Sequence, residues 1–106
     1  LTEDIKTHPV YFLKSWPAFF QAIVDGSKKH DVRDITEYNF KIGDIVLLQE
    51  YDPFAGKYTG RTQCVKITYI TSKFTPCAFS SAVLAKNFAI LSFELVGPCS
   101  PYPAVN

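Results

Sequence analysis

Charge concentrates in "DGSKKHDVRD", residues 25–34, within a chain otherwise rich in aromatic and aliphatic residues. Successive side chains of extended backbone point to opposite faces. Extended backbone from Lys29 to Arg33 therefore sets Lys29, Asp31 and Arg33 on one face and His30 and Val32 on the other, with Val32 expected inward as the strand's anchor. An acid two residues from an arginine on one face can hold the guanidinium flat. That prepares it for a phosphate or a base edge. Lys28, directly after an expected helix end, is placed to project into a cleft. The plainer alternative is a solvated turn in which Asp31 and Arg33 pair with each other or with nearby backbone.

Other side chains extend the candidate site. Trp16 and Tyr58 offer flat faces on which an unpaired base can stack, although Trp16 beside Pro17 equally suits a packing role. Glu50 falls in a long apolar strand, where a carboxylate needs a partner. Lys14, Lys28, Arg33 and Arg61 are the available cations, and the resulting pair would be a structural tie or an acid and base. His8 and His30 are isolated from each other and from any carboxylate cluster, so no metal site is expected, and no motif calls for a cofactor. Cys64, Cys77 and Cys99 are odd in number and widely spaced, which fits neither a disulfide framework nor a zinc pattern. They read as reduced thiols of a cytoplasmic protein, with Cys64 a packing residue.

These side chains must be carried by definable elements. "HPVYFLKSW" suits a short strand ending at Ser15, which can cap a helix that Pro17 opens. Phe19, Phe20, Ile23 and Val24 recur at helical spacing, and Gly26 is the expected stop. Gly43 and Asp44 form a turn before a strand over Ile45 to Tyr51, whose apolar residues fall on both faces and predict cover on both sides. "DPFAGK" is loop chemistry and "YTGRTQCVKITYIT" a second long strand, so the two strands make a hairpin, with Gly60 marking a bulge. A loop containing Pro76 and one helical turn at "SAVLAK" precede a strand in "FAILSFELV". The sum is an α+β domain over 1–97, with four to six mostly antiparallel strands and one main N-terminal helix, followed by an extended tail at 98–106.

Composition narrows the functions. Eleven Lys or Arg against ten Asp or Glu leave a formal charge of +1, so any nucleic-acid site is a local patch rather than a global field. Nine of the ten acids precede residue 62, which leaves the second half as wall and core. No apolar run approaches a membrane span, and "LTEDIKTHP" lacks a signal peptide's apolar core. Glu3 and Asp4 read as terminal solvation.

Over roughly positions 8 to 70 the chain resembles a known family. "GSKKHDVR" is similar to the G-x-K-x-x-E-x-R signature of ASCH domains, with Gly26, Lys28 and Arg33 in place and Asp31 where Glu is usual. "LKSWPAFFQAIVDG" and "KIGDIVLLQEYDPFAGKYTGR" resemble the opening helix and the Y-T-G-R hairpin of a small bacterial and phage branch of that group. The resemblance implies a PUA-like β-barrel with a cleft between helix and barrel, and binding of single-stranded RNA or nucleotides. Lys14, Trp16, Lys28, Asp31, Arg33, Glu50, Tyr58 and Arg61 are the expected ligand residues. Some ASCH relatives are amide hydrolases acting on acetylated cytidine, in which the signature Lys works with a Thr and a Glu. Lys28 and Glu50 would be catalytic in that alternative, but Asp31 stands where those enzymes carry Thr. A third reading is a phage or mobile-element protein that binds a host component through the hairpin tip at Phe54.

Overall fold

The fold follows from how two glycine-punctuated hairpin strands and one short helix share a single apolar face. A computed structural model of the chain describes residues 9–98. The expectations for Glu3, Asp4, His8, Cys99 and the tail beyond residue 98 lie outside them. The order is β1 (Tyr11–Ser15), α1 (Pro17–Val24), β2 (His30–Asp34), β3 (Ile45–Asp52), β4 (Lys57–Thr71), α2 (Ser80–Val83) and β5 (Phe88–Leu95). The strands form one five-stranded sheet in the order β1-β3-β4-β5-β2. Three of its four pairings are antiparallel, and β1 runs parallel to β3. A parallel pair needs a crossover. Here α1 and β2 lie in the chain between β1 and β3.

The sheet curls into a half-barrel instead of closing. β1 and β2 remain its two edges, with no ladder between them. One side chain spans the gap: Arg33 on β2 donates from Nη2 to the Lys14 carbonyl on β1 at 2.6 Å. An edge strand leaves backbone groups without ladder partners, and this guanidinium satisfies one of them.

The concave face holds the core. Leu13, Val46, Leu48, Val65, Ile67, Ala89, Leu91 and Phe93 from the sheet meet Phe20 and Ile23 from α1, all buried. Phe20 and Ile23 are three apart, so they lie on one side of the helix, while Phe19 is half exposed on another. Leu47 and Cys64, register partners across β3 and β4, are also buried but lie outside this cluster. Both sides of β3 are therefore covered, as its unbroken apolar run predicts.

Several local expectations change. Trp16, not Ser15, is the N-cap of α1, and no side chain caps it. Ser15 instead ends β1, buried opposite Glu50. Val32 does not anchor β2: it is 49% exposed, while Asp31 and Arg33 occupy the half-buried face. The reversal has a simple cause, because Arg33 must face the seam to reach β1. Cys64 is disulfide-bonded rather than reduced, whereas Cys77 is a free, exposed thiol. Among the described residues no helix is long and apolar enough to cross a membrane.

Helix α1 is too short to be stable alone and depends on its docked face. Ile23→Ala should therefore cost about 2–5 kcal/mol of unfolding free energy, read by urea denaturation. A loss under about 1 kcal/mol would mean that α1 is not packed on the sheet.

Candidate functional site

The Asp31–Arg33 pair expected from alternation is present. Arg33 Nε donates to Asp31 Oδ2 at 2.9 Å, and Nη2 lies 2.8 Å from the same oxygen. Asp31 Oδ1 accepts from the Val32 N–H. The guanidinium is thus fixed by a carboxylate on its own strand and by a carbonyl on the far edge of the sheet. Such a group is oriented before any ligand arrives.

It lies in a cleft of about 260 Å³ at the seam, lined by Lys14, Ser15, Trp16, Phe19 and residues 31–34. Trp16 and Phe19 are both about half exposed, and their rings stack with centroids 6.3 Å apart and planes 18° apart. They form an accessible aromatic ledge beside a fixed cation. The floor contains a further polar group: Ser15 is 3% exposed, and its Oγ has no hydrogen-bond partner among the described residues. A buried hydroxyl without a partner is costly.

The remaining expected residues divide among three other places. Lys14 contributes its carbonyl to the seam, but its ammonium sits 4.2 Å from the Tyr51 ring centroid and 5.8 Å from that of Tyr58. Tyr51 and Tyr58 are cross-strand partners in edge-to-face contact. Tyr58 therefore belongs to that cluster and does not line the seam cleft. Lys28 lines a different depression with Ile23, Phe93 and Glu94. Its Nζ lies 3.5 Å from His30 Nε2 and 5.8 Å from the Phe19 ring centroid.

Glu50 and Arg61 make the third group, and the hairpin bulge explains how. Gln49 pairs with Thr62 and Tyr51 with Tyr58, so Thr59, Gly60 and Arg61 together stand against Glu50. Gly60 takes φ +95°, a conformation L side chains rarely adopt, and this lets both its neighbours turn toward the acid. Thr59 Oγ1 donates to Glu50 Oε1 at 2.6 Å, and Arg61 Nη1 lies 3.5 Å from Oε2. The guanidinium also covers the Phe20 ring at 5.1 Å. Of the four cations that could neutralise Glu50, the bulge brings Arg61 to it. Sequence reasoning missed Thr59; the signal was its place beside the bulge glycine, opposite the strand's only carboxylate before Asp52.

A larger depression, about 530 Å³, is bordered by Lys73, Cys77, Ser80 and Lys86. Its hydroxyl is already engaged, since Ser80 Oγ accepts from the Cys77 N–H and donates to the Cys77 carbonyl. The Phe79 N–H, with help from Ser80, holds the Cys77 thiol below its usual range. At the β3–β4 hairpin tip, Phe54 is 99% exposed, and Asp52 Oδ1 accepts from the Phe54 and Ala55 N–H groups.

The geometry defines a small α+β domain with an open, curled sheet and a cleft at the junction of its two edges. Residues 8–93 match the family described as "Domain of unknown function (DUF3850)", and the chain belongs to that family. Comparison with curated proteins returns no match.

Two measurements follow. Thr59→Val should destabilise the fold by about 1–3 kcal/mol, because it leaves a buried carboxylate oxygen without its donor; an unchanged denaturation midpoint would contradict this role. Alkylation of Cys77, followed by mass spectrometry of its peptide, should rise through a midpoint below that of an ordinary thiol. Ser80→Ala should move that midpoint upward, and a midpoint at or above the usual value would refute the assignment.

Proposed function

We propose that this domain binds single-stranded RNA or a nucleotide in the seam cleft, and that it is an ASCH-type, PUA-like domain whose barrel stays open between β1 and β2. The observation that carries the reading is the juxtaposition of Arg33, held by Asp31 and the Lys14 carbonyl, with the exposed Trp16–Phe19 ledge. A planar cation and an aromatic face side by side suit a base and its phosphate without a strongly basic surface. The near-neutral chain is consistent with few phosphate contacts.

An amide hydrolase has one supporting observation, the short Thr59–Glu50 hydrogen bond. Against it, Lys28, the base that the ASCH resemblance supplies, lines a different depression. Docking of a host protein through Phe54 rests on that residue's exposure alone.

The test is titration of short single-stranded RNA and mononucleotides against the wild type, Trp16→Ala and Arg33→Ala. Loss of stacking in Trp16→Ala should weaken binding by about 1–3 kcal/mol while leaving the fold intact, since the side chain is half exposed. The salt dependence should be shallow, with a log–log slope magnitude of about 0.7 to 1.4, as expected for one or two phosphates on a single strand. Equal affinity in all three proteins defeats the reading. Turnover of acetylated cytidine that disappears with Lys28→Ala would favour the hydrolase.

A further inference from the structure

The cations around the seam differ in what already holds them. Arg33 is paired with Asp31 and Arg61 with Glu50, while the Lys14 ammonium rests on Tyr51 and Tyr58. Lys28 enters neither ion pair. Its Nζ makes an exposed 3.5 Å contact with His30 Nε2 and lies 5.8 Å from the Phe19 ring centroid. An ammonium has three N–H donors and an imidazole nitrogen takes at most one, so the others remain for an anion. Glu94 and exposed Lys29 line the same depression as Lys28, and Glu94 stands opposite Lys66 across β4 and β5. The local balance is therefore positive.

Phe19 connects this place to the seam cleft. The ring that lines the cleft and stacks with Trp16 is the same ring that Lys28 approaches, and it is half exposed. An accessible surface thus runs from Arg33 over Trp16 and Phe19 to Lys28 and His30. In the other direction from Arg33, the surface is acidic: Asp34 and Glu37 line the next depression. The Thr36 hydroxyl and N–H hold the Asp34 carboxyl below its usual range, which keeps it charged.

From this arrangement we infer that the ligand of the domain is a single strand carrying at least two phosphates, one at Arg33 and the next at Lys28 and His30, with a base on the Trp16–Phe19 ledge between them. The inference rests on the nucleotide reading above and narrows it from a lone nucleotide to a strand. His30 and Arg33 are three residues apart on β2, roughly 10 Å at about 3.3 Å per residue. One phosphate group does not span that distance, so a mononucleotide engages only one end. Charge sets the direction of the path, since a second phosphate is repelled on the side of Asp34 and Glu37 and attracted on the side of Lys28. Stacking and phosphate contacts are tolerant of base identity, so the selectivity is for length rather than sequence.

The test titrates uridine 5′-monophosphate and 5′-phosphorylated di- and triuridylate into the full chain. Trp16 is the chain's single tryptophan, so its fluorescence reports on the ledge directly. The wild type should bind the dinucleotide about three- to fivefold more tightly than the mononucleotide, the scale of an exposed charge contact. Its log–log salt slope should be steeper by about 0.7, the increment for one more phosphate on a single strand. Lys28→Gln keeps most of the stem and removes the charge, and should bring the ratio of the two affinities close to one; His30→Ala should reduce it. Lys86→Gln, at a separate depression, should leave the ratio as in the wild type. Matching urea midpoints establish that the variants are folded. Mononucleotide binding with no gain from the second nucleotide would overturn the inference and leave the nucleotide reading standing. A gain that survives Lys28→Gln, or that Lys86→Gln removes equally, would overturn it as well. No fluorescence response to any of the three ligands would defeat both the inference and the reading beneath it.

Discussion

The reach of one guanidinium across an unclosed sheet is the constraint around which this domain is organised. Five strands curl far enough to bring β1 and β2 near each other but form no ladder between them. Arg33 joins those edges by binding Asp31 on its own strand and the Lys14 carbonyl on the other. A ladder there would have closed the wall and left no cleft. A side-chain link instead holds the edges at a side chain's length, and the space between becomes a recess bordered by the start of α1. The outward turn of Val32 is the cost of aiming Arg33 at the seam, for alternation allows only one of the two to face it.

The second organising feature is the buried acid on β3. Glu50 is accepted in the interior because the bulge sets a hydroxyl and a guanidinium against it, and a glycine at positive φ makes that bulge possible. Arg61 then lies over Phe20, one of the two helix residues buried against the sheet. The bulge, the acid and the helix docking are therefore coupled. Half-exposed Arg61 is screened by solvent on one side, so its link to Glu50 is worth less than the Thr59 hydrogen bond beneath it.

The periodicities were legible because each reflects local chemistry. Helical spacing at Phe19, Phe20, Ile23 and Val24, the stop at Gly26 and the hairpin around Pro53 and Gly56 all appear where composition puts them. The pairing of Asp31 with Arg33 was legible too, being a two-residue relation within one strand. The capping of α1 was misread since Ser15 has the right chemistry one residue too early, and β1 runs on through it. The thiol state of Cys64 was misread because three widely spaced cysteines carry no local pattern that marks a bonded one.

By itself the sequence determined the element types, the apolar face of α1, the bulge glycine and the short-range geometry of the Asp31–Arg33 pair. Each depends on backbone preference or on neighbours within a few residues. Only the tertiary structure decided which strands became edges, that the sheet stayed open, and which cation neutralises Glu50. It also decided that Tyr58 and Lys28 fall outside the cleft holding Trp16 and Arg33. Those outcomes depend on strand order, curvature and register between segments far apart in the chain, where many pairings are compatible with the same local pattern and packing selects one.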